Sequence, residues 1–176
     1  FGKRFYRCWN KDGHGRIDLR HAIEQSCDVY FYQLGYRITL AGLVAGGRKM
    51  EFGEKTRVDL PDEVVSDFPP AHPDSLRAYY NKRFPRGWGS GGGEALNVAI
   101  GQGSNSETVV AMARFYTALA TDGRAARPMV VGNVPERTRL FQLTDEQMQQ
   151  VRAALVGVVS SGTAASAAIR GVSFAG

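Results

Sequence analysis

His14-Gly-Arg-Ile-Asp-Leu-Arg-His-Ala-Ile-Glu-Gln-Ser-Cys-Asp-Val-Tyr-Phe-Tyr-Gln-Leu-Gly35 decides how the rest of this 176-residue chain is read. Gly13-His14-Gly15 makes a turn, and Asp18 follows as a helix N-cap. Leu19, Ala22, Ile23, Cys27, Tyr30, Phe31 and Leu34 recur at three- and four-residue spacings, the pattern of a helix with one buried stripe. Ser26 and Asp28 interrupt it, because their side chains compete for backbone partners and favour caps and turns. Periodicity alone allows one helix from Leu19 to Leu34. Two helices meeting at Ser26-Cys27-Asp28, with Asp28 capping the second, fit equally well.

Outward from this run the pattern stays mainly helical, without internal repeats. Leu40, Leu43, Val44 and Ala45 predict a short helix, and Phe52-Gly53 a close to that segment with Gly53 left-handed. Thr56-Arg-Val-Asp-Leu-Pro61 reads as extended. Residues 61–93 hold five of the seven prolines and the Gly91-Gly-Gly93 run, which predicts a long loop or a pair of them. Ser106, Val109, Val110, Ala113, Tyr116, Thr117 and Ala120 mark an amphipathic helix ended by Asp122-Gly123. Thr144-Asp-Glu-Gln147 is a capping box, with Met148, Val151, Leu155, Val158 and Val159 tracing the buried face behind it. Val172-Ser-Phe-Ala-Gly176 alternates like the start of a strand.

Composition narrows the function classes. Hydrophobic residues at 43% and charged residues at 22% describe an ordinary globular domain. No apolar run approaches the ~20 residues that span a bilayer. Phe1 opens no signal peptide, so any targeting segment is expected outside this sequence. The net charge of +5 comes mostly from arginine, 17 against 5 lysines, in short clusters without a nucleic-acid reader motif. Cys8 and Cys27 are too few for a disulfide scaffold and lack the usual zinc spacing. Sequence leaves open whether they are bridged.

Ser26-Cys27-Asp28 has a specific setting: His14-Gly, Asp18-Leu, Ala22-Ile and Tyr30-Phe-Tyr-Gln-Leu-Gly35. Ala99-Ile-Gly-Gln-Gly103, Thr108 and Met112-Ala113 follow in order. Together these residues resemble the transpeptidase domain of class B penicillin-binding proteins, the membrane-anchored enzymes that cross-link peptidoglycan, and within them the elongation type. The resemblance covers nearly all 176 residues as one partial domain, weakest in loop 61–93 apart from Tyr79-Tyr-Asn-Lys-Arg83 and Trp88. It implies an α+β fold, here the mainly helical portion of the β-lactamase/transpeptidase-like architecture with its central sheet incomplete. It also favours the two-helix version of residues 19–34.

In such enzymes Ser-x-x-Lys, Ser-x-Asn or Ser-x-Asp, and Lys-Thr/Ser-Gly converge on one cleft. A serine hydroxyl needs an adjacent base to attack at neutral pH, and a second serine relays a proton between that lysine and the leaving amine. The resemblance gives Ser26 the relay role and makes Asp28 the third residue of the second motif, where asparagine is usual. A carboxylate only accepts hydrogen bonds, whereas the amide also donates. Other departures are Val109 and Ala111 for the usual proline and glutamine, and Arg57 for glycine.

No serine here is followed three residues later by lysine, so the nucleophile and the Lys-Thr-Gly strand are expected outside the chain. Lys55-Thr56-Arg57 and Ser160-Ser-Gly-Thr-Ala164 only imitate the third motif: one lacks glycine, the other a basic residue. Gly101-Gln-Gly103 lacks the full nucleotide fingerprint. The resemblance therefore implies a D,D-transpeptidase acting on peptidoglycan stem peptides and binding β-lactams, at the periplasmic face of the cytoplasmic membrane. It would be anchored by an N-terminal helix absent here, would work with the cell-wall elongation machinery, and would use no nucleic acid, cofactor or metal. The 176 residues alone are expected to be inert toward β-lactams and marginally folded. Alternatives are a serine β-lactamase or β-lactam sensor of the same fold, or a non-catalytic module.

Overall fold

A computed structural model describes residues 3–89, 92–132 and 134–176; Phe1 and Gly91, which entered the sequence reading, lie outside them. The chain divides into two compact units, Phe1–Leu34 with Leu143–Gly176, and Gly35–Gln142.

In the first unit, helix α1 (Leu19–Glu24) starts where Asp18 accepts the His21 N–H at 2.9 Å. Helix α2 (Asp28–Lys49) begins after a three-residue break, so two helices do meet at the polar interruption. One detail differs from expectation. Cys27 supplies the first helical carbonyl, to Phe31 N–H at 3.3 Å, and Asp28 is already the first residue of the helix. Helix α6 (Asp145–Ser160) carries the expected capping box between Thr144 and Gln147. Its buried positions are Met148, Ala154, Gly157 and Val159, while Val151, Leu155 and Val158 are half-buried. α1 packs on α6, and Gly157 makes the approach possible because a Cβ there would run into the Glu24 side chain. The expected strand at 172–176 does not form. A strand exists by pairing, and no segment among the described residues pairs with it; the Gly176 N–H instead meets the Leu155 carbonyl at 3.0 Å.

In the second unit, α2 is interrupted at Thr39 (φ 70°, ψ 161°), and the helix expected around Leu40–Ala45 is its continuation. Beyond its end at Lys49 it is closed by Glu51, left-handed at φ 65°, with Phe52 N–H on the Gly47 carbonyl and Glu51 N–H on Arg48, both 3.0 Å. This is a Schellman close, and Gly53, expected as the cap, follows it with φ 75°. The long-loop reading of 61–93 is corrected by helix α3 (Pro73–Arg83) and by the start of helix α4 (Gly92–Ala99). Pro73 opens α3 where its missing N–H costs nothing, with Asp74 in the first turn and Lys82 and Arg83 in the last. Leu76 and Tyr80 of α3 join Leu40, Val44, Phe68 and Ala95 in the core, and Trp88 stacks on Tyr80 at 4.7 Å between centroids.

Helix α5 (Val109–Ala120) starts later than expected, capped by Thr108, because Ser106 is taken up in a bridge with Asp67. Val109 stands in its first turn, so the helix survives the loss of proline. Strands β1 (Arg124–Ala126) and β2 (Arg137–Arg139) pair antiparallel, the sole sheet among the described residues.

Arg57, at the position of the resembled family's glycine, adopts φ 62° and corrects the plain extended reading of 56–61. Glu63 holds it there: its carboxylate accepts the Thr56 N–H and hydroxyl, each at 2.6 Å, and the Arg57 N–H at 3.0 Å. Burial alone would raise the Glu63 carboxyl, but these three donors bring it below its ordinary value of 4.5. Its stabilising contribution is therefore complete above that value and is lost as pH falls through the lowered folded-state value. Glu63→Gln should lower stability by about 1–2 kcal/mol at neutral pH. The difference from wild type, measured by urea unfolding of the full-length protein, should shrink as the pH is taken below 4.5.

Candidate active site

The site is built on the last turn of α1. Cys27 N–H reaches back to the Ala22 carbonyl at 2.9 Å and Ser26 N–H to Ile23 at 3.1 Å, the paired bonds of a Schellman motif. Ser26 thus occupies the left-handed position after the helix, at φ 47°, where glycine is the usual residue. Left-handed backbone costs a residue with a Cβ roughly 1–2 kcal/mol. The serine is exposed between buried Cys27 on one side and half-buried Gln25 on the other.

Two distant segments close over this turn within the first unit. The Trp9 indole N–H lies 3.0 Å from both the Gln25 and Ser26 carbonyls, and the Trp9 backbone N–H donates to Asp28 Oδ2 at 3.0 Å. From the other side, Thr163 N–H donates to the Glu24 carbonyl at 3.1 Å, and the Thr163 and Ser26 hydroxyls share a hydrogen bond of 2.8 Å. Gly162 permits that approach, since a Cβ would collide with the Glu24 carbonyl and stand 2.9 Å from Val158 Cα. Ser26 and Asp28 are therefore brought together, but through Trp9 and Thr163, which sequence reasoning missed. Thr163 belongs to the Ser160–Ala164 run set aside as an imitation of the third motif. Lys55-Thr56-Arg57, the other imitation, is occupied in holding Glu63.

The same turn gathers three metal-ligand atoms. Cys8 Sγ is 3.4 Å from His14 Nδ1, and a ligand atom of each of Cys8, His14 and Cys27 lies within 4.8 Å of the others. Both cysteines are free thiols. Burial pushes the Cys27 thiol up, against the Tyr30 and Val29 N–H groups, and His14 Nε2 is buried with no hydrogen-bond partner among the described residues. Two sulfurs and an imidazole suit a soft divalent cation, although ligand atoms of a tetrahedral zinc site stand closer, roughly 3.5 Å apart. The set escaped the sequence reading because its spacing, five residues and then twelve, is no zinc signature. Zinc at one equivalent is expected to protect Cys8 and Cys27 of the full-length protein from alkylation, and a chelator to reverse this. Thiols that stay reactive at saturating zinc would exclude a cation here.

The glycine landmark Gly101-Gln-Gly103 lies in the second unit, just beyond α4, with both glycines left-handed at φ 73° and 76°. Its turn is closed by Gln102 N–H on the Asn97 carbonyl at 2.8 Å.

Comparison with known proteins identifies the family. The family model described as penicillin binding protein transpeptidase domain matches residues 1–176. The peptidoglycan D,D-transpeptidase MrdA of Acinetobacter baumannii is 33% identical over 170 residues, covering 90% of this chain and 24% of that protein. MrdA of Escherichia coli K12 is 31% identical over 131 residues, 74% of this chain and 19% of the relative. Among solved structures, the penicillin-binding protein PBP2 of Helicobacter pylori superimposes with a TM-score of 0.82 at 34% identity, over 99% of this chain and 32% of that one. The chain thus spans about a quarter of the length of the relatives it matches. Its α+β arrangement is the corresponding part of their fold, and the chain belongs to the penicillin-binding protein transpeptidase-domain family, in its elongation-type class B branch.

Proposed function

We propose that the protein to which these residues belong is a peptidoglycan D,D-transpeptidase that cross-links stem peptides through a serine acyl-enzyme, is acylated by β-lactams, and uses Ser26 as its proton relay. The observation that carries this reading is the serine in a glycine position. Strained backbone persists where the surroundings over-determine it, and it clusters at functional sites. Here the strain presents a hydroxyl, exposed at the end of α1 and already hydrogen-bonded to a second hydroxyl, Thr163.

In the proposed step, the nucleophilic serine of a Ser-x-x-Lys segment outside residues 1–176 attacks the stem-peptide carbonyl as its proton passes to the neighbouring neutral lysine. Ser26 Oγ accepts a proton from that lysine while giving its own to the departing amine, so the relay ends unchanged in charge. Asp28, in the motif's third position, holds the turn through Trp9. The second substrate's amine then takes the acyl group from the enzyme. The relatives point to action outside the cytoplasmic membrane, and we place this protein at its periplasmic face, held by an N-terminal anchor. PBP2 of Helicobacter pylori has been solved in complex with MreC, and a protein of that kind is the partner proposed here.

The test is covalent labelling of the full-length protein with a fluorescent penicillin, followed by peptide mapping. A single stable adduct on the serine of a Ser-x-x-Lys segment is expected, with residues 1–176 alone unlabelled. An adduct on Ser26 would make this a different enzyme class, rapid hydrolysis of the penicillin would make it a β-lactamase, and no adduct at all would make it a non-catalytic module.

A further inference from the structure

We propose that Trp9 is a positioning residue for the relay: its indole N–H and its backbone N–H hold the Ser26 turn in its left-handed conformation. The proposal rests on the reading of Ser26 as proton relay. The last carbonyls of a helix have no intrahelical donor. The same holds for the carbonyls just past α1, where those of Gln25 and Ser26 converge on one indole N–H at 3.0 Å each. The same residue's backbone N–H meets Asp28 Oδ2 at 3.0 Å, so Trp9 spans the motif from the residue before it to its third member.

Trp9 is 58% exposed, so burial of its large ring accounts for only part of its placement. What fixes it are these hydrogen bonds and an edge contact with the His14 ring, 5.5 Å between centroids. A side chain held on the surface by polar bonds to a strained turn acts on the geometry of that turn more than on the core. The strain sets the need. The two Schellman bonds keep residue 26 left-handed, but without an outside brace the strained turn shifts and its hydroxyl swings away from the direction it now holds toward Thr163.

The experiment uses the full-length enzyme and a chromogenic or fluorescent penicillin, separating the acylation rate constant from the dissociation constant of the initial complex. Trp9→Phe keeps an aromatic ring and the backbone N–H, and removes the indole donor together with the five-membered ring that carries it. Its acylation rate constant should fall roughly 10- to 100-fold, the scale on which small misplacements of a reacting group act, with the dissociation constant unchanged. The same substitution made in a Ser26→Ala enzyme should cost nothing further, because a residue acting through another couples to it fully. Burst amplitude counts the folded enzyme, so a folding defect lowers the amplitude and leaves the rate constant alone.

Trp9→Phe at the wild-type rate constant, or losing the same factor in both backgrounds, overturns the assignment of Trp9 while the relay stands. Ser26→Ala at the wild-type rate constant overturns the relay itself, and the role of Trp9 with it.

Discussion

Ser26→Gly in the full-length enzyme is expected to slow penicillin acylation by about 10²–10⁴-fold, the range of a positioned acid–base group, and yet to leave the protein as stable as wild type or more so. The two effects separate because the residue does two things. Its backbone sits at φ 47°, in the position after α1 that glycine occupies at no steric cost. Removing the Cβ relieves roughly 1 kcal/mol of left-handed strain, set against the greater freedom of glycine in the unfolded chain. Its hydroxyl contributes little to stability at an exposed position, but it is the only part able to pass a proton. Ser26→Ala should lose the same activity without any relief of strain. Stopped-flow acylation and thermal unfolding of the three proteins decide the matter. A glycine enzyme that acylates at the wild-type rate reduces Ser26 to a helix terminator.

The largest loss of stability is expected from Gly162→Ala. A Cβ at this position would collide with the Glu24 carbonyl oxygen and lie 2.9 Å from Val158 Cα. Both neighbours are main chain, so no rotamer change can relieve the overlap, and the end of α1 has to part from the segment after α6. Overpacking of this kind costs about 1–3 kcal/mol, and the upper end applies where nothing flexible yields. The same movement withdraws Thr163, whose N–H and hydroxyl reach Glu24 and Ser26. Acylation should fall together with stability. Gly46→Ala is the control: Gly46 lies inside α2 with nothing within 4 Å of an added Cβ, so the change should be neutral or stabilising by up to ~1 kcal/mol. Equal unfolding midpoints in urea for Gly162→Ala and wild type would show that the contact is loose.

Local chemistry made much of this fold legible. Asp18 and Thr144 announce helix starts because their partners, His21 and Gln147, lie three residues away. Ser26 and Asp28 stood out for the same reason, as polar residues inside an apolar period. Helix α3 carried equally local signals in Pro73, Asp74, Lys82 and Arg83, but the surrounding prolines and glycines outweighed them. Strands β1 and β2 are three residues each, too short for alternation to register.

The unread part of the candidate site has a different cause. Trp9 and Thr163 meet the motif across 17 and 137 residues, and no periodicity encodes such distances. The resemblance supplied the roles of Ser26 and Asp28, but not the residues that hold them. Nor could spacing reveal that Arg57 and Glu51 take left-handed backbone, since each is held there by contacts of its own neighbourhood.

The two braces on the Ser26 turn also carry a consequence for the order in which the chain folds. Residues 35–142 form one continuous unit, whereas the unit holding the turn is assembled from segments on either side of it. A chain synthesised from its N-terminus has Trp9 and Ser26 in hand early, with a short loop between them. Thr163 emerges only after the whole intervening unit; a flexible loop of that length would cost about 4 kcal/mol to close in (3/2)RT ln n alone, and folding of residues 35–142 lowers that cost by shortening the flexible part. The Trp9 side is thus available early in folding, and the Thr163 side only after residues 35–142 have been made. Intermediates that already contain α1, α2 and the folded second unit would still lack the hydroxyl pair, so the Ser26 turn gains its second brace after these parts are compact.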